Sequence, residues 1–373
     1  MTRLNRYLLC CCVFLLAACE QKPDQTEPDV ILQEDATVVL RNQTVPFSSY
    51  ASKESRQWML EKQTAPKVPS ALSFREGGKA VEEFRLLKDK IVYQPLLNKQ
   101  IDRYDVKISE AQIAGLSVYI VDPKGQKANA EHPRVLINLH GGSYVEGAGA
   151  AQLIESVPIA ALSGIRVISV DYPLAPENVY PTAVNKVIEL YQILLKDYDA
   201  RSVGIYGCSA GGALTGQVLA HLIDRQIPLP AAAGILCEGM GLPFGAGDGA
   251  YMSHLLNGRT PPSLLADPTA QMDRVQYFKA EDLNDPLAFP IKNEQVYARF
   301  PPVVFVTGTR AHEMSNVAHA HMKMSLSGID SQLYIWDGQE HNFLYNADLP
   351  EARQAYELIA RFFAQKLSSP SNK

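Results

Sequence analysis

Three short stretches of the chain carry residues suited to nucleophilic chemistry. Gly207-Cys208-Ser209-Ala210-Gly211 sets a serine among small residues, directly after the apolar run 203–206 and before a helical stretch at 214–223. A strand, a tight turn and a helix present such a serine at the carboxyl edge of a sheet. The turn is cramped enough that Gly207, Gly211 and Gly212 are required on steric grounds. His341, in Asp337-Gly338-Gln339-Glu340-His341-Asn342-Phe343, follows the last apolar run and precedes a helical stretch at 351–367. A serine with a histidine far downstream in this order predicts Ser209 as nucleophile and His341 as its general base. His140-Gly141-Gly142-Ser143 comes directly after the apolar run Val135–Leu139. Glycines there leave backbone amides free to face a developing oxyanion, so Gly141 and Gly142 are the expected donors, with the Ala210 N–H as the third. His140 is expected to brace the loop by hydrogen bonding, because His341 fits the base better.

These groups need a sheet to hold them. Candidate strands fall at 104–108, 116–121, Val135–Leu139, Arg166–Val170, 203–206, 234–237, 303–307 and 332–336. The first two, joined by a short turn region, suit an antiparallel start. The later ones are continuous Val/Ile/Leu-rich runs alternating with helical stretches such as 184–195, the pattern of a mostly parallel eight-stranded sheet with helices on both faces. Before the sheet, residues 48–98 read as helical. Trp58-Met59-Leu60 lies in one segment, and Val81, Phe84, Leu87 and Ile91 recur at three or four residues in another. These helices, within about 45–100, are expected to form an N-terminal cap.

At 373 residues, 46% hydrophobic and 20% charged, the chain suits one large α/β domain with a modest addition. A net charge of −5 without a basic stripe argues against nucleic acid as a partner. Arg3 and Arg6, the short apolar run 7–16 and Ala17-Ala18 read as a signal peptide over residues 1–18, too short for a comfortable membrane span. Residues 19–35 are expected to be a polar tether containing prolines, and 36–373 the folded domain.

Leu16-Ala17-Ala18-Cys19 resembles the lipobox of bacterial lipoproteins, which implies lipidation at Cys19 and a membrane anchor by several acyl chains. Glu20 stands where aspartate would signal inner-membrane retention, so the resemblance implies the outer membrane, facing the periplasm. Of six cysteines, Cys10, Cys11 and Cys12 leave with the signal and Cys19 carries lipid. Cys208 and Cys237 then remain, expected as buried free thiols in preference to a bridge.

The elbow, His140-Gly141-Gly142 and His341 occur together with Asp171-Tyr172-Pro173-Leu174-Ala175-Pro176-Glu177, Tyr180-Pro181 and Asp285-Pro286-Leu287. In this order they resemble the hormone-sensitive-lipase-like family of α/β-hydrolases, from the pre-sheet helices to the C-terminus. The resemblance implies an α/β-hydrolase fold with a helical cap. It also implies a small-molecule carboxylic ester of short or medium acyl chain as substrate, cleaved through an acyl-enzyme with no cofactor.

Two departures bear on that expectation. Cys208 stands where the family carries aspartate, which alters support of the elbow but not the attacking oxygen. In Thr307-Gly308-Thr309-Arg310-Ala311-His312-Glu313, Ala311 occupies the place that the resemblance gives to the triad acid. That acid fixes the histidine tautomer, and neutralising it in a serine protease lowers turnover about 10⁴-fold. Glu313 is the nearest replacement, yet two extended residues displace a Cα by roughly 6–7 Å. Either a rearranged loop brings Glu313 to His341, or it is a solvated carboxylate at the first turn of the next helix, where the dipole favours it. Glu340 is a weaker candidate because a sequence neighbour rarely reaches the same ring nitrogen. Asp285 is expected to brace a turn.

Two functional rivals follow from Ala311 and from the shared chemistry. One is a catalytically impaired hydrolase-fold lipoprotein that binds a ligand or partner; the other is amide or peptide hydrolysis by the same groups. No metal site is expected at His312, His319 and His321, since helical positions two apart face different ways. Gly239-Met240-Gly241 lacks the third glycine of a dinucleotide loop. The Gly/Pro-interrupted stretch 243–290 is expected either to fold over the site or to be a structural excursion.

Overall fold

The computed structural model describes residues 30–34, 38–40, 44–64, 73–124 and 133–367. The signal segment, Cys19 and most of the expected tether lie outside the described residues. The chain divides into two units, residues 1–46 and 47–373. In the first, β1 (Val30–Leu32) pairs antiparallel with β2 (Val38–Leu40). The tether was expected to run to residue 35. Within its described part, Val30–Leu32 forms a strand.

In the second unit all eight expected strands are present. They are β3 (Val106–Ile113), β4 (Leu116–Pro123), β5 (Val135–Leu139), β6 (Arg166–Val170), β7 (Val203–Cys208), β8 (Ala232–Leu236), β9 (Val303–Gly308) and β10 (Ser331–Trp336). They form one sheet in the order β10-β9-β8-β7-β5-β6-β4-β3. β4 runs antiparallel to both its neighbours, β3 and β6, and every other pairing is parallel. The central strands are buried on both faces, which is why they read as unbroken apolar runs.

Successive residues of β5 serve opposite core layers: Val135, Ile137 and Leu139 in one, Leu136 in the other. The first layer is closed by α5 (Thr182–Leu194), α6 (Ala210–Asp224) and α10 (Met314–Leu326), the second by α3 (Gln94–Arg103), α4 (Ala150–Ser163) and α11 (Pro350–Lys366). Gly164, left-handed at φ 67°, ends α4 where a side chain would be strained.

The pre-sheet helices are α1 (Lys53–Thr64), α2 (Lys79–Lys88) and α3, and between the last two the chain makes a π turn, Asp89–Tyr93. That turn breaks the 3.6-residue period. Val81 and Phe84 are buried as expected, but Leu87 and Ile91 are exposed, and the inward face passes to Tyr93, Leu97 and Gln100. The excursion between β8 and β9 contains α7 (Gly247–Leu256) and α8 (Pro268–Val275), the latter capped by Asp267, whose side chain accepts from the Thr269 and Ala270 amides.

Candidate active site

The loops that carry the candidate groups leave the carboxyl ends of neighbouring parallel strands, where an open α/β sheet gathers its functional residues. Ser209 is the residue between β7 and α6 and adopts φ 59°, ψ −126°. A Cβ at Gly207 would lie 2.1 Å from the Leu139 carbonyl oxygen, and one at Gly211 only 1.8 Å from it. The glycines therefore permit the approach of β5 to the elbow, and the strained serine is fixed from behind by backbone, its N–H donating to the Leu236 carbonyl.

His341, past the end of β10, places Nε2 2.9 Å from Ser209 Oγ. Its Nδ1 lies 2.9 Å from Glu313 Oε2. Glu313, only 1% exposed, accepts a second hydrogen bond at Oε1 from Thr307 Oγ1, 3.2 Å away. Of the two placements open to Glu313 the chain adopts the one at His341. The extended-chain displacement does not apply, because residues 309–313 turn back: Ala311 N–H donates to the Gly308 carbonyl and Met314 N–H to that of Ala311. Gly308 completes the fit. A Cβ there would stand 2.2 Å from the Gln339 carbonyl, so only glycine lets the end of β9 pack on the base loop. Ala311 is buried and bears no functional group.

Burial alone would raise the proton affinity of Glu313. The charge and hydrogen bond of His341, with a smaller contribution from His312, outweigh it and hold the carboxyl below its ordinary range. His312 packs on the His341 ring, centroids 4.3 Å apart, and a pKa lowered to about 4 by burial and by His341 keeps it neutral near pH 7. His312, Glu313 and His341 bring ligand-type atoms within 4.8 Å. With both nitrogens of His341 engaged, the geometry is that of a proton relay: Nδ1–H donates to the carboxylate, and Nε2 accepts from the serine hydroxyl.

His140 braces its loop as expected. It is fully buried, donates from Nδ1 to the Gly141 carbonyl at 2.7 Å and stacks on Tyr172, while burial pulls its pKa down to about 4. The loop itself differs from expectation in one donor. Gly141, unlike Gly142, is not among the residues that line the cavity in front of Ser209. Glu155, on α4, is buried, which raises its pKa to about 7 against the opposing hydrogen bonds of Tyr345 and Asn138. Gly142, Ser143 and Ala210 line the cavity in front of Ser209, and among the described residues their amides meet no acceptor. Ser143, at φ 54°, was not singled out in the sequence, where its side chain hid the fact that its backbone matters.

Cys208 and Cys237 form a disulfide, in place of the expected free thiols. The register explains it: Cys208 pairs with Leu236 across β7 and β8, so Cys237 is one step beyond, with Cα atoms 5.1 Å apart, inside bridging range. Glu340 turns away from His341 to Lys62 and, at 4.0 Å, Arg259. Asp285 accepts from the Leu287 amide and from Tyr180 Oη, a turn brace as expected. His321 bonds Ser331, well along α10 from His312.

The cavity in front of Ser209 measures about 260 Å³. The 243–290 stretch does fold over it, contributing Phe244, Val275, Phe278 and Phe289; from the pre-sheet helices come Lys88 and Tyr93. Glu238, after β8, also lines it and is nearly fully buried. Burial raises its pKa to about 8, the Gly239 amide opposes and Glu313 adds to the rise, so Glu238 is largely protonated at neutral pH.

Comparison with known proteins agrees with this geometry. An esterase of Acinetobacter venetianus is 25% identical over 240 residues, 63% of this chain and 76% of its own. An acetyl-hydrolase of Streptomyces hygroscopicus is 29% identical over 233 residues, 61% of this chain and 75% of its own. The crystal structure of an esterase named E25, 27% identical, covers 87% of this chain and 98% of its own with a TM-score of 0.70. A second, from an esterase of the bacterial hormone-sensitive lipase family, is 23% identical and shares the fold with a TM-score of 0.66, covering 84% of this chain and 97% of its own. The family described by the alpha/beta hydrolase fold matches residues 136–345, from β5 through the loop bearing His341. A match over more than half of the chain, on a sheet of this order, makes the protein a member of the α/β-hydrolase-fold family.

Proposed function

We propose that the protein hydrolyses carboxylic esters of short acyl chain through an acyl-enzyme on Ser209, as a hormone-sensitive-lipase-like esterase. The observation that carries this reading is the unbroken series Glu313–His341–Ser209, with 2.9 Å at each step. Esterase and acetyl-hydrolase relatives support the substrate class, and a cavity of about 260 Å³ bounded by Phe244, Phe278 and Phe289 supports a short acyl group.

In this mechanism Ser209 Oγ attacks the ester carbonyl while His341 Nε2 takes its proton. Glu313 stabilises the imidazolium and fixes the tautomer. The Gly142, Ser143 and Ala210 amides receive the oxyanion, His341 protonates the departing alkoxide, and water repeats the sequence on the acyl-enzyme. Because a carboxylate reaches His341, the absent acid at 311 no longer motivates reading the chain as an impaired binding protein. Turnover of p-nitrophenyl acetate by the full chain, compared with Ser209→Ala, tests the proposal. Wild type should show an acyl-enzyme burst and the variant none; equal rates overturn it.

We further propose a lipid anchor at Cys19 that holds the enzyme at the outer membrane, facing the periplasm. The lipobox-like tetrapeptide and the polar segment after it support this reading; no helix among the described residues is long and apolar enough to cross a membrane. Metabolic labelling with a fatty-acid analogue should mark the chain and fail on Cys19→Ser. Label retained on that variant removes the anchor.

A further inference from the structure

The cavity has two chemically different walls. The stretch between β8 and β9 supplies the aromatic one. The other is polar and is built by Lys88 at the end of α2, Tyr93 at the end of the π turn, and Glu146 from the loop that also carries Gly142. Glu146 is 5% exposed, and its Oε1 is held by Lys88 Nζ and by Tyr93 Oη, the latter at 3.1 Å. Its Oε2 is buried and meets no partner among the described residues. Lys88 Nζ has three donors, of which Glu146 occupies one; beyond it the ammonium lies 5.7 and 5.8 Å from the Phe84 and Tyr93 ring centres.

This wall is fixed beside the reacting centre. Glu146 N–H donates to the Gly142 carbonyl, Arg85 Nε to that of Val145 at 2.6 Å, and the Ala150 amide to Asp89 at 2.8 Å. A Cβ on Gly142 would stand 3.1 Å from Glu146 Cγ. A substrate group meeting this wall therefore sits within one residue of the oxyanion donors. The ion pair is neutral as a whole, so a carboxylate or ammonium on the substrate would have to divide it and leave one partner uncompensated. A hydroxyl does not. It can accept from a Lys88 N–H that Glu146 leaves free and so keeps the pair intact, while an aliphatic group leaves that donor unmet.

Resting on the esterase reading above, we infer that the natural substrate is an ester of a polyhydroxylated compound, such as an acylated sugar, with a hydroxyl bound at the Lys88 ammonium that Glu146 holds in place. A charged donor left unmet by one substrate and satisfied by another is worth at least about tenfold in kcat/KM.

The test compares 6-O-acetylglucose with cyclohexylmethyl acetate, which lacks the hydroxyls, on the full chain and on the double variant Lys88→Met/Glu146→Leu. The double variant replaces both charges together and so leaves neither unpaired. The ratio of the two kcat/KM values does not depend on how much of a preparation is folded. Wild type should favour the sugar ester by at least tenfold, and the double variant should bring the ratio close to one. A wild-type ratio of one or less, or a preference unchanged in the double variant, overturns the inference. p-Nitrophenyl acetate is run beside them: if it is cleaved while the sugar preference is absent, only the substrate assignment fails, and if no ester is cleaved, the esterase reading fails with it.

Discussion

The turn after β7 and the turn after β9 each deliver one side chain of the proposed relay to the same imidazole, but they hold it by different means. Around Ser209 the contacts are backbone to backbone: the Leu139 carbonyl lies where Cβ atoms of Gly207 and Gly211 would be, and Ser209 N–H donates to the Leu236 carbonyl at 2.9 Å. Around Glu313 the last link is a flexible side chain, anchored by His341 and Thr307 on a turn whose buried Ala311 has nothing to offer. The proposed nucleophile thus has no freedom to move along the sequence. The acid does, provided the turn tightens enough to compensate.

This contrast can be broken at the elbow first. Gly211→Ala forces a methyl group against the Leu139 carbonyl, and we expect a loss of roughly 3 kcal/mol or more in stability, read from a denaturant midpoint, together with the loss of ester hydrolysis. A variant of wild-type stability would show that the elbow has slack. At the other turn the expected effect is smaller. Thr307→Val removes one of two hydrogen bonds to Glu313 and should lower kcat by about three- to tenfold with KM little changed. A change in KM alone would mean that Thr307 acts on binding.

Glu238, just past the end of β8, the strand between those two, gives the smallest effect. Its folded pKa of about 8 exceeds the unfolded carboxyl value, so the native state binds the extra proton between roughly pH 4.5 and 8, and stability falls as pH rises through that window. Glu238→Gln should flatten that fall by ~1 kcal/mol or more between pH 5 and pH 8, measured from denaturation curves at the two values. Parallel curves for wild type and variant would remove Glu238 from the pH dependence.

The same contrast explains what the sequence made legible. Strands buried on both faces must be apolar throughout, so the central ones could be read from their unbroken apolar runs, and the elbow could be read because its sterics demand glycine at fixed neighbouring positions. Glu313 could be named but not placed, since the turn at 309–313 rests on backbone hydrogen bonds and on the fit of Gly308 to a loop thirty residues away. The Gly141 donor was misassigned because residue type does not say which of two adjacent glycines lines the cavity. Tyr93 was missed because the π turn moves the inward face of the pre-sheet helices off the period by which it would be recognised, and Lys88, though on the Val81–Phe84 face, because a charged residue is ordinarily read as solvated. The disulfide follows from the register of β7 against β8, a long-range fact that cysteine counting does not contain.

On the proposed mechanism Glu313 does the work of the acid that position 311 lacks. The most direct test of that role is steady-state kinetics of Glu313→Gln on p-nitrophenyl acetate, with folding checked by an unchanged denaturation midpoint. Removing the charge while keeping the shape should lower kcat by on the order of 10²–10⁴-fold with KM nearly constant. A folded Glu313→Gln enzyme whose kcat stays within twofold of wild type would contradict the account.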